Sequence, residues 1–291
     1  MKKQIITILI LMLLTSCSSM FKKSYKIKAP EPQLYFTTGE ELKMATAIYD
    51  GDLHSIQSMI DNGFDLNRIG RGGMTYLYYA MLTMNYDTME LLLKNGANPN
   101  IHSKFFTDPN LHKKGQNDEQ NIGACLEYSG YPAYDIKYMK LLIKYGANVN
   151  DTTYINPVSS SADDKLQGKE KIKYLVDHGA NLNFSLTGTS LICGEASAYD
   201  WDMVLFLLSL GADPMVSEDP DFNVASAVQD YYDEGFDLDS QNGKMAQEVK
   251  RRLEQRGVKF PYHPKSYTTP SENKKSMKRF IVDIFLCYWH L

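Results

Sequence analysis

Apolar residues along this chain come in short stripes at helical spacing, and each stripe runs into the same polar turn. The stretches SMIDNGFDLN (58–67), ELLLKNGANPN (90–100), LLIKYGANVN (141–150), KYLVDHGANLN (173–183) and LFLLSLGADPM (205–215) all pass from an apolar run to Gly, then Ala or Phe, then Asn or Asp. A degenerate sixth copy, RRLEQRGVKF, covers 251–260. Met89, Leu91, Leu92 and Leu93 give one side of a short helix an apolar face that must be buried. The Gly that follows suits a left-handed C-terminal cap, which residues with a Cβ adopt only at a cost. Asn98 and its equivalents favour a tight turn by bonding their own backbone. Upstream, TYLYYA (75–80) opens another helix, with Thr75 capping free N–H groups and Leu77 pointing inward. A helix pair this short cannot bury its own face, so it must stack on a neighbour.

The marker glycines are Gly63, Gly96, Gly146, Gly179, Gly211 and Gly257, at spacings of 33, 50, 33, 32 and 46. Three spacings equal one repeat of about 33 residues, and the other two equal one repeat plus an insertion. With this period and these turns the chain resembles an ankyrin-repeat protein. The inner-helix signature T-P-L-H-x-A is met by TYLYYA, more loosely by TSLICG (189–194) and ACLEYS (124–129), and in its later half by AIYDGD (47–52). No copy keeps both the Pro and the His. In the family that His helps tie adjacent loops together, so its loss implies a softer, irregular array. The resemblance covers residues 38–262 and implies an all-α solenoid of about six irregular helix-turn-helix repeats with finger loops. It also implies that the work of the chain is to hold another protein.

Two insertions break the period. The first, between Asn100 and Gly123, carries His102, Phe105, Phe106, His112, Lys113 and Lys114. Insertions in such arrays map to loops on one face, often the binding face. Tolerated drift in a surface loop is as good an account, although paired exposed phenylalanines need a reason. The second, near Asp230–Gln241, is acidic and is read as drift. Tyrosine is abundant, with 20 residues. Tyr76, Tyr78 and Tyr79 are read as packing between repeats, whereas Tyr131 and Tyr134 are expected on an exposed groove rim, where tyrosine makes good contact surface. The expected partner-binding set is therefore Arg68, Arg71, Met74, His102, Phe105, Phe106, Tyr131 and Tyr134.

The amino terminus reads as a targeting segment. Lys2 and Lys3 precede a short apolar core, Ile5–Leu14, followed by Leu14-Thr15-Ser16-Cys17. This is too short for a dependable membrane span and has the form of a cleaved secretory signal. Its ending resembles the lipobox of bacterial lipoproteins, which implies a signal peptide over 1–16 and acylation of Cys17. A plain signal peptide is the alternative. Ser18 at the second mature position implies outer-membrane sorting in a Gram-negative host. Residues 17–37 then read as the lipidated Cys and a flexible tether, and 263–291 as a tail or cap whose apolar end, from Arg279 to Leu291, folds back on the last repeat, a docking segment being the alternative.

Loss of Lys2 and Lys3 with the signal takes the formal charge from −4 to −6, which argues against a nucleic-acid partner. Cys125 and Cys193 are expected as buried thiols two repeats apart, beyond any disulfide, and Cys287 has no evident mate. The six histidines show no ligand spacing, and no CxxC pair, GxSxG elbow or phosphate-binding glycine loop is present. His102 and His112 share a loop with Asp108 but read as polar surface. No cofactor, no metal and no catalysis are expected. The resulting expectation is a monomeric, lipid-anchored, periplasm-facing protein-interaction module at the outer membrane. Its sharper form is an immunity protein that neutralises a secreted antibacterial toxin; the alternative is an assembly or maintenance factor for an envelope enzyme.

Overall fold

The structure, a computed structural model, describes residues 29–37, 39–104, 122–151, 156–185, 188–219 and 221–264. Cys17, the first insertion from residue 105 to 121, and the tail from 265 onward lie outside the described residues. The chain divides into two compact units, 1–171 and 172–291. The fold is an all-α ankyrin-repeat solenoid. In chain order the helices are α1 (Gly39–Asp50), α2 (Leu53–Asp61), α3 (Tyr76–Leu82), α4 (Tyr86–Lys94), α5 (Cys125–Ser129), α6 (Ile136–Lys144), α7 (Pro157–Ala162), α8 (Gly168–Asp177), α9 (Leu191–Ser197), α10 (Trp201–Ser209), α11 (Val224–Asp233) and α12 (Gln241–Gln255). One short antiparallel ladder joins β1 (Ser103–Lys104) to β2 (Ile122–Gly123).

Each outer helix ends in the turn that the repeat prescribes. Gly63, Gly96, Gly146, Gly179, Gly211 and Gly257 all have φ between 86° and 95°, the left-handed region where a Cβ is strained. The bonding is that of a Schellman motif. In α4, for example, the Ala97 N–H reaches the Leu92 carbonyl at 3.0 Å and the Gly96 N–H reaches Leu93 at 3.2 Å. Three inner helices start on side-chain caps, with Thr75 accepting from the Tyr78 N–H, Asn156 from that of Ser159 and Asn223 from that of Ser226. Each such cap is worth about 1 kcal/mol.

Successive turns are then stitched together by asparagine. Asn67 donates from Nδ2 to the Gly96 carbonyl at 3.1 Å and accepts from the Asn98 N–H at 2.8 Å. Asn100 repeats both bonds one step on, to the Gly146 carbonyl at 2.9 Å and from the Asn148 N–H at 2.7 Å. The second bracket crosses the longer spacing as easily as the first crosses the regular one. The turns on either side of the longer spacing are therefore joined directly, as neighbours. In the second unit Asn183 accepts from the Asp213 N–H at 2.8 Å.

Apolar burial supplies the remainder. In the first unit α1 packs on α2 and α3, α3 on α4, and α5 on α6 and α7. Met44, Ile48, Ile56, Leu77, Met89, Leu92 and Leu142 are fully or almost fully buried there. In the second unit α9 packs on α10 and α11, and α10 on α12, around Trp201, Val204, Leu207, Val228 and Leu253. Cys125 and Cys193 are buried and unpaired with each other as thiols, as expected for core filler, and burial pushes the Cys125 thiol up to about 12.

Three features add to the sequence reading. The segment read as tether is folded from about Pro30: the Tyr79 hydroxyl donates to the Pro30 carbonyl at 2.7 Å, and Phe36 stacks on Tyr76 with centroids 4.5 Å apart. Tyr35 and Phe36 are both buried, because the outermost repeat has an apolar face that would otherwise be wet. The first repeat, legible only in its later half, has a complete inner helix in α1. The acidic second insertion is an ordered connector between α11 and α12. It reuses the repeat's own turn as Gly235-Phe236-Asp237-Leu238-Asp239, with Gly235 at φ 74° and the Asp239 N–H bonded to the Asp237 carboxylate at 2.9 Å.

The stitching can be tested at Asn100. Asn100→Ala removes two hydrogen bonds between turns and should lower stability by about 1–2 kcal/mol, measured by urea denaturation of the wild type and the variant. An unchanged midpoint would show that the bracket contributes nothing.

Candidate functional site

The fingers connect each polar turn to the next inner helix. Between Asn67 and α3 the chain forms a hairpin closed by the Ile69–Thr75 bridge and by the Gly70 N–H on the Met74 carbonyl at 2.7 Å. Its tip is a 3-10 turn, Arg71–Gly73, in which Gly72 and Gly73 take φ of 65° and 78°. Gly70 must lack a side chain, because a Cβ there would press on the Phe36 ring and the Tyr35 carbonyl. This hairpin exposes Arg68 and Arg71 on either side of Ile69, which is 57 % exposed. The Arg68 guanidinium lies over the Phe64 ring, 5.7 Å from its centroid, so one cation is already held in place. Ile69 escaped the sequence reading because it lies outside the helical stripes.

Met74 does not belong to that surface. It is 0 % exposed, so the expected contact residue is a core residue that fastens the hairpin to the repeats. The next residue carries the connection onward: Thr75 Oγ1 and Ser103 Oγ lie 2.9 Å apart, which ties this hairpin to β1. Phe105 and Phe106, expected as contact residues, lie outside the described residues. The β1–β2 ladder pairs Ser103 with Gly123 and Lys104 with Ile122, the described residues that flank their segment in sequence. The ladder itself stands at a finger position, between the second polar turn and α5.

Tyr131 and Tyr134 lie beyond the other end of α5 from this ladder, so the expected binding residues do not converge on one place. Tyr134 is buried at 5 % exposure, and its ring packs against Tyr138 at 5.8 Å. The expected rim position is corrected to core, and Tyr131 is half-buried. The cause is Lys171, itself fully buried, whose Nζ donates to the carbonyls of Gly130, Tyr131 and Tyr134 at 3.0, 3.0 and 2.7 Å. Its charge is met by Asp164 at 2.8 Å. Burial raises the Asp164 pKa, but the bonds from Lys171 and the Gln167 and Leu166 N–H groups outweigh it and leave the carboxyl below its ordinary value. Tyr76, Tyr78 and Tyr79 are buried, in keeping with the packing expected of them.

His102 is not a free surface residue. Its Nε2 is 2.6 Å from Asp151 Oδ2, and the Glu127 carboxylate completes a group whose ligand atoms all lie within 4.8 Å of one another. Glu127 and Asp151 are 1 % and 8 % exposed, while the His102 side chain is 31 % exposed. Glu127 stands in ACLEYS where the repeat signature has its His, a buried carboxylate in the place of the family's loop-tying imidazole. The three residues are scattered over 102–151, so no local spacing announced the cluster.

If Met74 is core, Met74→Ala should cost about 2–5 kcal/mol in thermal or denaturant unfolding. A contact residue would leave stability unchanged, and that outcome would return Met74 to the surface set.

Comparison with known proteins matches the ankyrin repeat family model to residues 72–104. An ankyrin repeat protein of Acanthamoeba polyphaga mimivirus is 33% identical over 159 residues, which cover 47% of this chain and 25% of the relative. The chain therefore spans about a quarter of that relative's length. Among solved structures, an ankyrin repeat domain from Acinetobacter baumannii aligns with a TM-score of 0.53 at 17% identity, covering 71% of this chain and 97% of that one. The complex of a predatory endopeptidase with an immunity protein from Bdellovibrio bacteriovorus gives a TM-score of 0.50 at 18% identity, with coverage of 71% and 97%. This chain carries an ankyrin repeat at residues 72–104 within an ankyrin-repeat fold.

Proposed function

We propose that this chain is a lipid-anchored protein-binding module of a bacterial envelope, and that it is an immunity protein acting against a secreted antibacterial toxin. Protein interaction is the work of ankyrin repeats, and the observation that carries the assignment here is the first finger. Arg68, Ile69 and Arg71 form an exposed apolar point between two cations, on a hairpin held to the core by Met74 and to the next finger by Thr75. Arg side chains flanking an apolar anchor are a common form of interface hot spot. Such a point fits a partner with an acidic rim around an apolar recess.

The immunity reading draws on the lipobox-like Leu14-Thr15-Ser16-Cys17, on the insertion placed at a finger, and on the shared fold with a chain of the endopeptidase–immunity protein complex. In this reading Cys17 is acylated, the repeats face the periplasm from the outer membrane, and the chain acts as a monomer. Membrane attachment in this reading is through the lipid. Among the described residues no helix is long and apolar enough to cross a membrane. A toxin held by the fingers would have its active face covered, with no chemistry asked of this chain.

Two measurements test the proposal. Cys17→Ser should move the full chain from the membrane to the soluble fraction after cell breakage; retention on the membrane would remove the anchor. An unlipidated 18–291 chain should capture one stoichiometric partner from envelope extract and cancel that partner's toxicity. Arg68→Glu with Arg71→Glu should weaken capture by about tenfold or more while leaving the melting temperature unchanged. Capture of a housekeeping envelope enzyme, with a growth defect on deletion, would replace immunity by assembly or maintenance. Unchanged capture by the double variant would move the interface off the first finger.

A further inference from the structure

We propose that His102, Glu127 and Asp151 form a binding site for one divalent ion of the zinc class, which clips two neighbouring fingers together. The three donors come from separate elements. His102 follows the second polar turn, Glu127 sits in the first turn of α5, and Asp151 follows the third polar turn. Each donor is held from behind. Asn100, two residues before His102, is bracketed to Gly146 and Asn148, and the Asp151 N–H bonds the Asn148 carbonyl at 3.2 Å. The Glu127 carbonyl accepts from Ser160 Oγ at 2.6 Å, which fixes the start of α5. Convergence of one imidazole and two carboxylates within 4.8 Å is therefore built by the fold and not left to loose side chains.

Burial supplies the reason for a cation. Two carboxylates at 1 % and 8 % exposure, within reach of one another, repel and have lost most of their water. A divalent ion held between them would offset that repulsion. On one side strand β2 lies against the carboxylate: a Cβ at Gly123 would overlap Glu127 Oε2, so glycine lets the backbone close on it.

The donor set selects the ion. Imidazole with carboxylates suits zinc and its first-row neighbours, while calcium and magnesium take oxygen alone. Around zinc, with ligand bonds near 2.0 Å, donors stand about 3.3 Å apart. The His102 and Asp151 atoms, now 2.6 Å apart and sharing a proton, need to separate by well under an ångström to admit the metal in place of that proton. Three protein ligands leave a fourth position, and the part-exposed imidazole edge opens it to solvent. The ion would join β1's leading residue, α5 and the next finger at the base of the first insertion. This assignment does not depend on the identity of the protein partner.

The test uses the full chain in detergent, stripped with a chelator and titrated with Zn2+ by calorimetry and with Co2+ by visible absorption. One equivalent should bind, the Co2+ bands should saturate at that point, and the melting temperature should rise with free Zn2+. His102→Gln and Asp151→Asn, each checked for native helical content, should weaken binding by on the order of 100-fold. His178→Gln, at an exposed histidine outside the cluster, should leave affinity as it was. Absence of stoichiometric binding, unchanged affinity in His102→Gln, or binding of Ca2+ in preference to Zn2+ would each overturn the site.

Discussion

A helix pair of some seven and nine residues buries too little to stand alone, so everything here depends on forcing each pair against the next at a fixed offset. The left-handed glycine turn does this first. It ends the outer helix at one residue, satisfies its last carbonyls through the Schellman bonds, and directs the chain sideways. The asparagine bracket then measures the offset, since Asn67 and Asn100 each engage both a carbonyl and an N–H of the following turn. Hydrophobic contact between the helices supplies the larger free energy, but it is non-directional. The polar stitching converts it into a stack with one register.

Given that register, the irregularities of this array become intelligible. An insertion placed at a finger does not disturb the stack, because the flanking turns are already bonded to each other and the ladder Ser103–Gly123 closes its base. Extra residues between α11 and α12 are accommodated by using the repeat's own turn a second time. Buried polar groups take over where the family signature is absent. Lys171 and Asp164 pin the loop that carries Tyr131 and Tyr134, and Glu127 occupies the place of the signature His. Such groups are costly to bury unless fully bonded, and in return they hold short loops in one conformation. Rigid fingers lose less entropy on binding, which ties the buried network to the proposed capture of a partner.

Much of the fold was legible because its signals are local. A glycine three residues after an apolar stripe, followed by Ala-Asn, needs no knowledge of the remainder of the chain to be read as a helix end. Periodicity of about 33 residues then makes stacking the natural consequence. The candidate surface was less legible, because residue type does not state which way a side chain faces. Met74 and Tyr134 looked like contact residues and are core; Ile69, which the helical stripes do not include, is exposed beside two arginines. Tyr35 and Phe36, at the end of a stretch with no helical pattern, are buried because the first repeat needs a cover.

The sequence by itself determined the repeat, the helix ends and the all-α solenoid, since each follows from short-range backbone preference and the spacing of apolar residues. Only the tertiary structure decided which finger residues reach solvent, how Lys171 holds three carbonyls from 130–134, and that His102, Glu127 and Asp151 meet. Those facts depend on contacts between residues some 25 to 50 positions apart. Their juxtaposition is fixed by the offset between stacked turns, a quantity that no local stretch of sequence contains.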